Sequence, residues 1–263
     1  MDFSHYLPNT EKRIERLRAI INKRPVAIMA LGYSLTELEN RIEELRDCDI
    51  CYVGMNTFLI PDKHIVQRIG KNLSVAMAPN IPGLPSQIDN VVSFLERQDE
   101  NIFITDEPAL RQPGFPQWYS RDRFVQKYDG KLLVYDAVWG GNPLYDHVPS
   151  PEYPLHFSAY NSLTMLLSLV VIGGSSKIAL FGADGGGPYY RQDEIMQSYG
   201  DSPNQEALWA DAINFNRVMG NILEKVYKTY GVPAVDIVNC SPMSGYEVFS
   251  KLSYDETFAW LRR

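Results

Sequence analysis

At 263 residues, 45% of them hydrophobic, the chain is long enough to bury a full core, and its net charge of −7 excludes a general nucleic-acid binder, which needs a basic face for phosphate. No stretch holds the roughly 18 uninterrupted apolar residues of a membrane span, and the polar start MDFSHYLPNTEKRIERLR lacks the apolar centre of a signal peptide. The composition therefore predicts one soluble, cytoplasmic domain over residues 1–263, compatible with a homo-oligomer.

Strand-like and helix-like segments alternate, the pattern of an α/β fold with a mostly parallel sheet covered on both faces. VAIMAL (26–31) is a near-continuous apolar run, as expected of a strand buried on both sides. Leu35, Leu38, Ile42 and Leu45 then recur at helical spacing through SLTELENRIEELR. DICYVGMN (49–56) and LSVAMAP (73–79) are the next strands, followed by a helix in PSQIDNVVSFLER with Pro85 in its first turn, and the strand NIFIT. Residues 106–155 are dense in Pro, Gly and aromatics around one strand-like run, KLLVYDAV, and form a loop-rich elaboration whose aromatics either pack the rim or offer a substrate platform. An apolar helix in AYNSLTMLLSLVVIGG leads to the buried strand KIALFGAD. A long amphipathic helix follows, with Leu208, Ala212, Phe215, Met219, Ile222 and Val226 on one face, and the strand PAVDIVN closes the order. Cys48, Cys51 and Cys240 lack the second cysteine pair or nearby histidine of a zinc site and read as buried thiols.

Several segments at strand ends carry groups suited to a ligand. In ALGYSLTE, Gly32 allows a close turn, and Ser34 and Glu37 have capping-box spacing. The helix amides there would face the carboxyl end of the sheet, where such folds bind phosphate. A capped turn without a ligand is the plain alternative. Asn56, after the second strand, offers an amide to a base or ribose, or caps its own turn. HFSAYNSLT places His156, Asn161 and Ser162 ahead of an apolar helix, as ligand groups or as caps. FGADGGGPYYRQ sets Asp184 at a strand end, then three glycines that permit close backbone approach, then Tyr189 and Tyr190. The stretch 185–204 has few apolar residues to fix it to a core, which predicts a mobile lid.

VAIMALGYSLTELE followed by DICYVGMNTF resembles the first two strands of bacterial sialyltransferases, where Gly-Asn-Gly-Pro-Ser-Leu joins a strand to a helix and the next strand ends near Cys-Asn. The layout is similar to that of motif-associated-factor flagellin glycosyltransferases and of archaeal-type hydroxymethylpterin diphosphokinases. The likeness continues through NSLTMLLSLVVIGGSSKIALFGADGGGPYY to PAVDIVNCSPMSGYEVFSKLSYDE, covering most of 25–256 except the loop-rich middle. It implies a Rossmann-like core and a transferase using a nucleotide-activated sugar, with a glycan or protein as acceptor and no cofactor or metal. Alternatives are pyrophosphate transfer from ATP to a pterin, which needs Mg²⁺ with Asp184 near it, and a non-catalytic nucleotide-binding protein. By this resemblance Gly32, Tyr33 and Ser34 meet phosphate. Asn56, Asn161, Ser162 and Asp184 belong to the nucleotide site, and Tyr189 or Tyr190 bonds the departing phosphate. Two departures stand out. The family's Gly-Asn-Gly-Pro-Ser is Ala30-Leu31-Gly32-Tyr33-Ser34 here, and the histidine base that follows the tyrosine loop is absent from 185–207. Asp193, Glu194 and Asp201 are the nearby carboxylates, and His156, on another segment, is the remaining candidate base.

Overall fold

The structure is a computed structural model that describes residues 10–59, 65–78, 85–106, 121–139, 156–159, 161–191 and 205–263. Nine strands among these form one sheet in which every pairing is parallel. They are β1 (Val26–Met29), β2 (Cys51–Met55), β3 (Val75–Met77), β4 (Ile102–Asp106), β5 (Leu132–Trp139), β6 (His156–Ala159), β7 (Lys177–Phe181), β8 (Asp236–Asn239) and β9 (Ser250–Lys251). The spatial order is β6-β5-β4-β3-β2-β1-β7-β8-β9. The chain thus builds outward from β1 to β6, then crosses back and continues outward from the other side of β1. Adjacent strands β1 and β7 flank this reversal, so the connections leaving their carboxyl ends diverge and open a crevice between them.

Helices cover both faces: α1 (Thr10–Ile21), α2 (Leu35–Arg41), α3 (Pro85–Arg97), α4 (Arg121–Tyr128), α5 (Ser162–Ile172), α6 (Gln205–Tyr230) and α7 (Tyr254–Leu261). The central strands β1 and β2, and β7 after its first residue, are apolar because successive side chains serve two cores. Ala27 and Met29 of β1, with Ala179 and Phe181 of β7, face a cluster with Leu35, Leu38 and Phe258. Val26, Ile28, Ile178 and Leu180 face the other, with Leu17, Leu166 and Phe215. This is the α/β, Rossmann-like arrangement that the alternating pattern predicts. All three cysteines are buried free thiols. None of the described helices is long and apolar enough to cross a membrane.

Five elements were not expected. The polar start TEKRIERLRAII is helix α1, whose Ile14, Leu17 and Ile21 form a narrow buried stripe. Arg13 secures it to the start of β5 through bonds to the Asp129 side chain and to the carbonyls of Asp129 and Leu132. Within the expected loop-rich region, 121–128 is helix α4, while 107–120 and 140–155 lie outside the described residues. HFSA is strand β6, paired with the extension of β5 beyond β4. PAVDIVN does not close the sheet, because β9 adds to β8 and α7 packs Phe258 against Phe181.

The stripe on α6 buries Phe215, Met219, Ile222 and Val226 in the core shared with α5, as its spacing predicts. The Leu208 side chain lies outside the described residues. Ile222 is 6% exposed, so Ile222→Asp places an unpaired carboxylate in that core, at a cost of several kcal/mol against a total stability of roughly 5–15. Loss of the cooperative thermal transition is expected in circular dichroism. A native-like transition would show that another face of α6 is buried.

Candidate functional site

Asp184 ends the segment after β7 and organises the carboxyl edge. Its Oδ2 accepts from the Ser34 backbone N at 2.9 Å, and its Oδ1 accepts from the Ser34 hydroxyl and, at 2.6 Å, from the Ser241 hydroxyl. One carboxylate therefore ties the β1–α2 turn, the end of β7 and the segment after β8. The close fit requires a glycine at 32: a Cβ there would lie 2.5 Å from Asp184 Cγ and from the Gly182 carbonyl. Gly32 thus serves the approach of two chain segments as well as lining the space above them. The capping box expected from Ser34 and Glu37 does not form, because Ser34 makes no side-chain cap bond and gives its hydroxyl to Asp184. The anion at the start of α2 is the protein's own, which leaves Ser34 no free donor for a phosphate.

A cavity of about 330 Å³ opens beside this clamp, over the β1/β7 reversal. Gly32, Asn56, Asn161, Ser162, Asp184 and Tyr189, expected to share a site, all line it. Asn56 sits at φ +54°, a left-handed conformation that asparagine tolerates, and its side-chain amide has no hydrogen-bond partner among the described residues. Asn161 is the N-cap of α5, accepting from Thr164 N at 3.0 Å and from its hydroxyl at 3.1 Å. Its carbonyl oxygen is thereby assigned, so its NH₂ group must face Tyr246, donating to the hydroxyl at 3.2 Å. Tyr246 Oη consequently accepts from Asn161 and keeps its own O–H to give. Burial, with the charge of Asp211 adding to it, holds this phenol protonated well above its ordinary range. Ser162 and Leu163 begin α5 and line the cavity, so amides that have no intrahelical acceptor open onto it.

The two expected tyrosines separate. Tyr189 lines the cavity, pairs with Gly32 in an antiparallel bridge, and is kept protonated by burial and by nearby Asp211. Tyr190 is buried elsewhere: its hydroxyl donates to Glu39 Oε2 at 2.6 Å and its amide to the Leu31 carbonyl at 2.8 Å. A role for Tyr190 on the ligand's phosphate is therefore replaced by one in packing. Tyr33, also expected to meet phosphate, projects into solvent at 58% exposure while its amide donates to the Pro188 carbonyl. The described part of the expected lid, 185–191, is tied down by these bonds, and 192–204 lies outside the described residues, with Asp193, Glu194 and Asp201. His156 opens β6 opposite Asp136, and its side chain also lies outside them.

Three residues of the site were not singled out from sequence: Ser241, Tyr246 and Asp211. Asp211 is half-buried on α6 and lines the cavity, and desolvation raises its pKa. Its sequence signal was a carboxylate one turn before Phe215 on the apolar stripe of α6. Among the described residues no cluster of three or more acidic, histidine or cysteine side chains could hold a metal. Comparison with family models, curated proteins and solved structures finds no match to this chain.

Glu39 anchors the tyrosine segment, accepting from Tyr190, Arg191 and Arg68. Burial opposes its ionisation, but the bonds from Tyr190 and Arg191 and the charges of Arg191 and Arg68 outweigh that, holding its carboxyl below the usual range. A depressed carboxyl stabilises the fold above its unfolded pKa, about 4.3, and loses that contribution as pH falls through the folded value. Wild type is expected to resist urea better than Glu39→Gln at neutral pH, with the gap closing on acidification below the ordinary carboxylate range. A gap that persists unchanged in acid would contradict this role of the charge.

Proposed function

We propose that the chain is a nucleotide-binding transferase that takes a sugar from a nucleotide-activated donor held in the β1/β7 cavity. The observation that carries this reading is the convergence on one switch-point cavity of α5 amides and an Asn56 side-chain amide, both without a partner among the described residues, and two neutral phenols, Tyr189 and Tyr246. Its volume, about 330 Å³, falls at the small end of ligand pockets, roughly 300–1,000 Å³. The phosphate of the donor would lie at Ser162 and Leu163, where the helix dipole favours negative charge. Asn56, held in a fixed backbone conformation, would read the base or ribose.

The hydroxyls of Tyr189 and Tyr246 would donate to the phosphate oxygen as it departs with the electron pair of the broken bond. Such donors are worth most when charge develops on the leaving group, which favours turnover over ground-state binding. The likeness to sialyltransferases makes cytidine the first base to try, with transfer by inversion to a glycan or protein in the cytoplasm. Pyrophosphate transfer fits less well, because three hydrogen bonds already fill most of the acceptor capacity of Asp184, the carboxylate that would approach Mg²⁺.

Calorimetric titration with CMP, UDP, GDP and ATP, each with and without Mg²⁺, tests the reading. Saturable binding of one nucleotide without metal is expected, weakened about tenfold or more by Asn161→Ala, a loss of roughly 1.4 kcal/mol. The same substitution removes the α5 cap, at about 1 kcal/mol of stability, so the titration is run well below its melting temperature. Binding of ATP alone and only with Mg²⁺ would replace sugar transfer by the pyrophosphokinase reading. No binding of any of the four would overturn the nucleotide site.

A further inference from the structure

The described lining of the cavity contains two carboxylates, Asp184 and Asp211, and no lysine, arginine or histidine. They differ in what surrounds them. Asp184 is enclosed by three donors that fix its oxygens toward the β1–α2 turn and Ser241. No donor or cation among the described residues reaches the half-buried Asp211 carboxylate, although it sits on a helix rigidly held in the core. Leaving an ionisable group partly desolvated and unpaired costs stability, and it persists where the surrounding fold imposes it.

The fold does impose it. Ala212 and Phe215 are fully buried on α6, and Asp211 lies one turn before Phe215 on the same side of the helix. The Phe215 ring packs against Tyr246 with centroids 4.4 Å apart, which brings Asp211 next to that tyrosine at the cavity wall. Asn216 fixes the adjoining segment, donating to the Gly245 carbonyl at 2.7 Å and accepting from Glu247 N at 2.7 Å. Tyr189 and Tyr246 face Asp211, Asp184 belongs to the same lining, and the start of α5 contributes the uncharged Asn161, Ser162 and Leu163. The two phenols are donors near neutrality, so neither can take up a proton. Asp211 is the carboxylate of the described lining whose oxygens accept no hydrogen bond from a described residue, whereas those of Asp184 take three.

We propose that Asp211 is the catalytic base, taking the proton from the acceptor hydroxyl as that oxygen attacks the donor sugar. This rests on the transferase reading above. The new bond forms between the acceptor oxygen and the anomeric carbon, and the bond from that carbon to the donor phosphate breaks with its electron pair on phosphate. The proton passes to Asp211 and from there to water, so the carboxylate is regenerated. Desolvation, by raising the affinity of Asp211 for a proton, improves its fit to this task.

The experiment uses hydrolysis of CMP-, UDP- and GDP-activated sugars, with water as acceptor, following release of free nucleotide by the full chain, Asp211→Asn and Asp211→Glu. In wild type, kcat/KM is expected to fall on the acid side as Asp211 protonates. Asp211→Asn should lower kcat about 10²–10⁴-fold and abolish that limb, while nucleotide affinity by calorimetry and the melting temperature stay close to wild type. Asp211→Glu should restore part of the rate together with the acid limb. Full turnover in Asp211→Asn, or an acid limb that survives in it, overturns the proposal while leaving the transferase reading intact. A loss of affinity or melting temperature that accounts for the lost rate assigns Asp211 a structural role instead. Absence of nucleotide release from every donor in wild type overturns the transferase reading and this proposal together.

Discussion

The carboxylate of Asp184 sets the geometry on which the edge of the sheet depends. A negative group there satisfies the Ser34 amide at the start of α2, and the same oxygens bind the hydroxyls of Ser34 and Ser241. Three segments far apart in sequence are thus held by one charge, over a glycine whose missing Cβ lets them meet. Around this clamp, Asn239 donates to the Ala183 carbonyl at 3.1 Å and Ser244 to the same carbonyl at 2.6 Å. The ends of β7 and β8 are therefore bound into one polar layer. Because the protein supplies its own anion to α2, the helix start that lines the described cavity without such an anion is that of α5, across the β1/β7 reversal.

The seven strands other than β6 and β9 were legible because they are largely buried on both faces, so that their apolar runs need no knowledge of partners, whereas the two-residue edge strand β9 is polar and exposed. The helices that escaped notice are those whose signal is local or sparse. α1 buries only a thin stripe within a highly charged segment, and α4 lies amid prolines and aromatics. A capping-box signature illustrates the limit: Ser34 and Glu37 have the spacing but form no cap, whereas Ser253 and Glu256, with the same spacing, form both bonds at the start of α7. Asp184, 150 residues from Ser34, captures that serine, and no local pattern carries such a competition. The site followed the same division. Residues at strand ends could be placed at the edge from the strand pattern alone. The separation of Tyr189 from Tyr190 required the antiparallel bridge to Gly32, and Tyr246 and Asp211 required the packing of α6 against the loop after β8.

The chemistry of the cavity follows from its charge balance. With two carboxylates and no cationic side chain in the described lining, a phosphate placed there under the proposed reading would have to find its stabilisation in backbone amides and neutral hydroxyls. Such groups discriminate weakly between bound phosphate and water at rest and strongly once negative charge grows on a departing oxygen. The hydrogen bond from Asn161 gives Tyr246 a defined polarity, as acceptor on one side and donor on the other. The N-cap of α5 and the orientation of a phenol at the cavity wall are in this way one structural feature.

The central claim, that the ligand sits on the start of α5 and not on the start of α2, is tested most directly by amide chemical-shift mapping on isotope-labelled protein titrated with CMP. The largest shifts are expected at Asn56, Ser162, Leu163 and Gly185 to Gly187, with the Asn161 side-chain amide moving alongside them and Thr36 and Glu37 nearly still. Largest shifts in the first turn of α2, or at strands remote from the β1/β7 reversal, would contradict it.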